Sequence, residues 1–266
     1  MSPAIQSPPG HYRLTYVVKS EVVKMLTVPS TFITFGLTVV AGLLVTALVT
    51  HNVMHQGPGF DPTQQALTGL IVAGLTGGVF GGLLITAEYS SGTIRATLAA
   101  TPKRPVLLAA KIGVTALTTM LFCEVMSFVS FFLGQAILSG RGAPTASLGS
   151  PGAIRAVLMT GVFIALLSLM AFGFGLICRS TAGAIAAFAG VVFVLPLVMH
   201  AISRSAVPYL PTNILTNSIM ATVNQVPPGA ISVNGPLSPA VGLSLMVLYA
   251  AVTLAVGSVL FVKRDA

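Results

Sequence analysis

From Pro29 to Thr50 the chain runs without a single Asp, Glu, Lys or Arg. Five more apolar stretches follow: 63–87, 105–138, 153–178, 181–203 and 238–262. A helix rises about 1.5 Å per residue, so about 20 apolar residues cross a hydrocarbon core of about 30 Å. Each stretch is long enough. A helix also satisfies its own backbone in lipid, and the stretches lack the two-residue alternation of a membrane barrel. Only 7% of the residues are charged, against about a quarter in a soluble domain. The expected fold is therefore an all-α polytopic membrane protein of six spans, one transmembrane domain over residues 1–266. At 1.5 Å per residue the third stretch reaches about 50 Å, so it must tilt, kink or project beyond the bilayer.

Basic residues orient the spans. With both termini in the cytoplasm, the inner side holds Arg13, Lys19, Lys24, Arg95, Lys103, Arg104, Lys111, Arg179, Lys263 and Arg264. The outer side holds only Arg141, Arg155 and Arg204. The excess marks the cytoplasmic face. The net charge of +8 does not indicate nucleic acid, because the basic residues sit at the ends of apolar runs. It suits anionic lipid headgroups or a polar protein partner.

Before the first span, "YRLTYVVKSEVVKML" places Leu14, Val17, Val18, Val22 and Met25 at helical spacing. Arg13, Lys19, Glu21 and Lys24 fall mostly on the opposite side. The spacing predicts an amphipathic helix over 11–28 lying along the inner membrane face. In the second span, Gly74, Gly78 and Gly82, with Gly77 and Gly81, form a stripe that lets another helix come close. Packing within the chain is its simplest use. Between the fifth and sixth spans, residues 204–238 are too apolar for a free loop and too broken by Pro208, Pro211, Pro227 and Pro228 for a span. They predict short re-entrant helices, one of them capped at Thr212 or Asn213.

No catalytic residues and no metal site stand out. There is no phosphate-binding G-x-x-x-x-G-K-[ST] loop. His51 and His55 lack further ligands, and His200 stands alone. Cys123 and Cys178 read as packing residues. Glu124 is the one acid inside a span, where a charge costs about 2.5–3.5 kcal/mol. It must face protein or water, and is a candidate pathway residue or an interhelical hydrogen-bonding group.

The most specific stretch is "EYSSGTIRATLAATPKRPVLLAAK", residues 88–111. It resembles the cytoplasmic segment of type-2 ABC transporter permeases, in Glu88, Ser90, Ser91, Gly92, Thr93, Ile94, Arg95, Thr97, Leu98, Pro102, Arg104, Leu108, Ala110 and Lys111. "SEVVKMLTVPST" is similar to that family's N-terminal elbow, with Glu21 and Lys24 matching and Val22 where a Trp is common. The resemblance implies a permease subunit of an ATP-driven exporter, in the inner membrane of a prokaryote. Its elbow would include Lys19, Glu21 and Lys24. Residues 88–105 would carry a coupling helix through Glu88, Ser91, Gly92, Thr93, Ile94, Arg95 and Leu98. The implied partners are a separate nucleotide-binding ATPase subunit, which would hold ATP and Mg, and a second identical or related permease. The chain itself would bind no cofactor and be no enzyme. Ser90 or Ser91 can cap the helix, Pro102 can end it, and Ile94 with Leu98 forms a one-turn ridge suited to a groove on a soluble domain. A drug, antibiotic, peptide or lipid is the expected cargo. The alternative is an ATP-independent secondary transporter or channel. That class often carries several ionisable groups at mid-membrane, and this chain has one acid there.

Overall fold

A computed structural model describes residues 14–27, 29–53, 59–100, 104–221 and 237–263. Among them the chain is helical, with no strand. The first helices are α1 (Leu14–Thr27), α2 (Pro29–His51), α3 (Pro62–Leu67), α4 (Gly69–Ser90), α5 (Thr93–Ala100) and α6 (Arg104–Gly140). They are followed by α7 (Ala153–Cys178), α8 (Thr181–Ala189), α9 (Leu195–Ile202), α10 (Pro211–Ser218) and α11 (Pro239–Lys263). Six segments are long and apolar enough to cross a membrane: α2, α3 with α4, α6, α7, α8 through α9, and α11. The six spans read from the sequence are thus present. The third is one continuous helix of 37 residues.

The fourth span, α7, is the hub, packing against α4, α6, α8, α10 and α11. Small residues allow this. A Cβ added at Gly81 would lie 1.9 Å from the carbonyl oxygen of Ser168, so only glycine lets α4 and α7 meet there. Ser168 then reaches back and donates its hydroxyl to Gly77 O at 2.8 Å. The glycine stripe is therefore used inside this chain. Where helices have no hydrophobic drive to associate, close backbone approach and interhelical hydrogen bonds supply the attraction. By contrast, α2 turns Phe32, Ile33, Leu37, Val40, Leu44 and Leu48 outward, which suits hydrocarbon.

Two interruptions within spans are satisfied by side chains. The second span breaks at Thr68, between α3 and α4, which the sequence reading drew as one helix. Asp61 caps its start, accepting from Thr63 N at 2.8 Å and Gln64 N at 3.2 Å. Ser130 of α6 donates to Ala66 O at 2.8 Å beside the break. The fifth span widens into a π turn over Gly190–Val194. Pro196 there has no N–H to offer the carbonyl four residues back, and Thr212 of α10 donates to that carbonyl, Val192 O, at 2.7 Å.

This bond also corrects the capping expected of Thr212 or Asn213. The N-cap of α10 is Leu210, with no side-chain cap, and Pro211 opens the helix. Pro at that position loses nothing, because its N–H would be unpaired anyway. Pro208 lies within a 3-10 turn, Arg204–Tyr209. At the same end Arg155 donates to Met220 O at 2.8 Å and Ala221 O at 2.9 Å, while Asp61 accepts from Ala221 N at 2.8 Å. The rest of the expected re-entrant segment, with Pro227 and Pro228, lies outside the described residues. So do Arg13, His55, Pro102, Lys103 and Arg264.

A buried charge cluster joining the first helix to the second and third spans

Four ionisable side chains meet where α1 crosses the ends of α4 and α6. Lys111 is only 4% exposed, about two turns into α6. Its Nζ donates to Glu21 Oε2 at 2.7 Å and to Glu88 Oε1. Lys24 closes the cluster from α1, donating to Glu21 Oε1 at 2.9 Å and, more distantly, to Glu88 Oε1 at 3.5 Å. It also donates to Thr97 Oγ1 of α5 at 3.2 Å. Three helices and the short α5 are thus linked through two cations and two carboxylates.

The placement of Glu21 corrects the expected amphipathic pattern of α1. Glu21 and Val17 are buried, whereas Val22 and Val23 are exposed. The inner face of α1 is a mixed one that meets protein, because Lys111 in an apolar run requires a counter-charge. Lys19 is exposed and outside the cluster. What pattern reading missed is that Glu21, Lys24, Glu88 and Lys111 act as one group. Its one sign in the sequence is a lysine opening an apolar span.

Burial pulls the pKa of Lys24 down, but bonds and charge from Glu21 and Glu88 outweigh it and hold it above the ordinary 10.5. A group raised on folding contributes stability that is full below its unfolded pKa and is lost as pH climbs through the folded value. The stability advantage of wild type over Lys24→Met is therefore expected to shrink as pH rises above 10.5. Thermal unfolding of both proteins across that range checks it.

The short helix α5 differs from its expected form in two ways. Ser90 and Ser91 do not cap it. Both hydroxyls donate back to Ala87 O, at 3.1 and 2.7 Å, and close α4. Gly92, at φ +70°, then turns the chain. Ser91 Oγ also lies 2.9 Å from Thr93 Oγ1. Secondly, the Ile94/Leu98 ridge points inward. Ile94 is 3% exposed in a cluster with Val17, Ile85, Leu107, Phe172 and Phe261, and Leu98 packs against it. Burying the two apolar residues under α1 and α6 removes them from water, the stronger demand on an amphipathic turn. The outward face carries Gly92, Thr93, Arg95, Ala96 and Ala99.

Glu124 lies apart, three to four turns further along α6. It is half-buried, and a Cβ added at Gly161 of α7 would come within 2.6 Å of its carboxyl carbon. Its Oε2 has no hydrogen-bond partner among the described residues. Cys123 and Cys178 are free, and no set of possible metal ligands gathers among the described residues.

Fold and cluster together define a multi-pass, all-helical membrane protein. No family model matches the chain, and no curated protein matches it.

Proposed function

We propose that the chain is the permease subunit of an ATP-driven exporter, as its resemblance to type-2 ABC permeases implies. One observation supports this reading above the others. The short α5, between the second and third spans, is tied to α1 by Lys24–Thr97, and Lys24 belongs to the cluster of Glu21, Glu88 and Lys111 that joins α1 to both spans. Force applied to α5 would reach α1 and the second and third spans through charge-assisted bonds, which are stronger than neutral ones. A separate ATPase subunit, binding ATP and Mg, would dock on the outward face of α5. A second permease, identical or related, would complete the pathway. The membrane is the inner membrane of a prokaryote, with α1 and α5 on the cytoplasmic side and both termini inside. The cargo is a drug, antibiotic, peptide or lipid. The chain has no ATPase site of its own.

The docking face is now Gly92, Thr93, Arg95 and Ala96, not the Ile94/Leu98 ridge. Arg95→Glu is expected to abolish transport and its coupling to ATP hydrolysis while changing stability by less than about 0.5 kcal/mol. Leu98→Asp is expected to destabilise the chain instead, because it charges a packed position. The test is purification of the tagged chain from native membranes, with ATPase activity measured in the eluate and transport in vesicles. A chain that transports alone and is indifferent to ATP would overturn the reading.

Glu124 is proposed to line the pathway. Glu124→Gln is expected to alter transport of cationic cargo and its pH dependence in reconstituted vesicles. An unchanged pH profile removes that role.

A further inference from the structure

The two halves of the fifth span are held very differently. The first half, α8, is anchored. Phe188 is buried, and its ring sits so close to Gly78 of α4 that a Cβ there would lie 2.0 Å from it. Thr181 also donates to Thr86 Oγ1 of α4 at 3.1 Å. The second half, α9, buries no residue. Its main neighbours are the π turn and the 3-10 turn that flank it in the chain, and Leu197 and Ile202 are 73% and 74% exposed. Each end of α9 is a break: the π turn on one side and Ser203, in extended conformation, on the other. Beyond Ser203 the chain is fixed again. Val207 is buried, Tyr249 of α11 donates to Tyr209 O at 2.8 Å, and α10 buries Pro211, Ile214, Leu215 and Ser218. A short helix with few buried contacts, set between two breaks, is the part of a fold that moves at least cost.

One side-chain bond ties the first break to the packed bundle. Val192 O, with no N–H at Pro196 to meet it, accepts from Thr212 of α10 at 2.7 Å. In hydrocarbon a carbonyl needs a donor. A second donor is within the chain's own reach, the N–H of Leu197, five residues on and in π register. Gly190, which opens the π turn, has nothing within 4 Å of an added Cβ, so no neighbour braces the turn there. We propose that α9 is a hinged segment with Thr212 as its latch. In the latched state Thr212 holds Val192 O, and α9 stays beside α10. In the released state Val192 O turns to Leu197, the π turn shifts toward α9, and α9 swings away as a rigid body. Two discrete ways of satisfying one carbonyl give the two states that a hinge needs. The inference does not depend on the exporter reading, because neither state involves ATP. On that reading α9 would gate the end of the pathway away from α5.

The test is fluorine NMR on the full chain in phospholipid nanodiscs, with para-trifluoromethylphenylalanine in place of Leu197. Exchange-saturation measurements read a minor state on the relevant timescale. A minor resonance exchanging with the main one is expected. The same label in place of Val247, on the packed α11, should give one resonance alone. Thr212→Val keeps the shape of the side chain and removes the donor. It should raise the ratio of released to latched state by about threefold to tenfold, the effect of one interhelical hydrogen bond in a membrane. Thr212→Ser keeps the hydroxyl and should leave the ratio as in wild type. Pro196→Ala supplies the missing N–H to Val192 O, so neither the latch nor the shift is needed. It should remove the minor resonance whether residue 212 is Thr or Val, and it decides the matter if Thr212→Val fails to fold. Four results would each overturn the proposal: no exchange at position 197 in wild type, a ratio unmoved by Thr212→Val or raised equally by Thr212→Ser, exchange that persists in Pro196→Ala, or equal exchange at position 247.

Discussion

Lys111→Met is expected to lower the stability of the purified chain by about 3–5 kcal/mol. The loss would appear as a fall in the midpoint of thermal or denaturant unfolding in maltoside micelles. Lys111 is 4% exposed and is the shared donor of Glu21 and Glu88, themselves 8% and 13% exposed in their side chains. Removing it leaves Glu88 without a close partner and Glu21 with Lys24 alone, at 2.9 Å. Lys24 is a poor substitute, because it reaches Glu88 only at 3.5 Å and is itself 38% exposed. Buried ion pairs are often weak contributors as intact units and costly when halved. The same physics makes a second expectation. Combining Glu21→Gln, Glu88→Gln and Lys111→Met should recover most of the loss, because the one charge then left in the cluster, Lys24, is 38% exposed and can turn to water. A single Lys111→Met costing less than about 1 kcal/mol would mean that the cluster is solvated, not buried.

Gly81→Leu should be comparably damaging, with a loss of about 3 kcal/mol or more. The clash begins at Cβ, 1.9 Å from Ser168 O and 2.6 Å from its carbonyl carbon. Both belong to the backbone of α7, the hub of the packing, so no rotamer change relieves it. Forcing α4 from α7 also breaks the Ser168–Gly77 hydrogen bond. Gly113→Ala in α6 is the control. Nothing lies within 4 Å of a Cβ there, and its stability should stay within about 0.5 kcal/mol of wild type. Equal losses from the two substitutions would show that the close approach at Gly81 is not what makes its substitution costly, since both changes raise helix propensity.

The two substitutions mark where sequence reading succeeds and stops. Gly81 belonged to a visible spacing, so close helix packing was legible, though its partner α7 was not. A run of small residues says that something comes near without saying what. Ile94 and Leu98 were rightly placed on one face of a short helix. Their burial was not legible, because helical spacing defines a face and leaves open whether protein or solvent meets it. Ser91 looked like a cap for the following helix, yet its hydroxyl closes the preceding one. Both are local bonds of similar strength, and the turn at Gly92 decides between them.

By itself, the sequence determined the number, bounds and helical nature of the spans. Hydrocarbon thickness and backbone satisfaction act on each stretch separately, so neighbours in space are not needed to read them. It also showed that Glu124 needed an explanation, since charge at membrane depth is costly wherever the helix packs, whereas Lys111 reads there only as a basic residue marking the cytoplasmic side. Only the tertiary structure showed the burial of Lys111 and what either side chain meets. Lys111 found Glu21 at a separation of 90 residues, and Glu124 came against Gly161 with one oxygen unpartnered. Such pairings depend on which helices are adjacent and how they are rotated, and no periodicity within one helix carries that information.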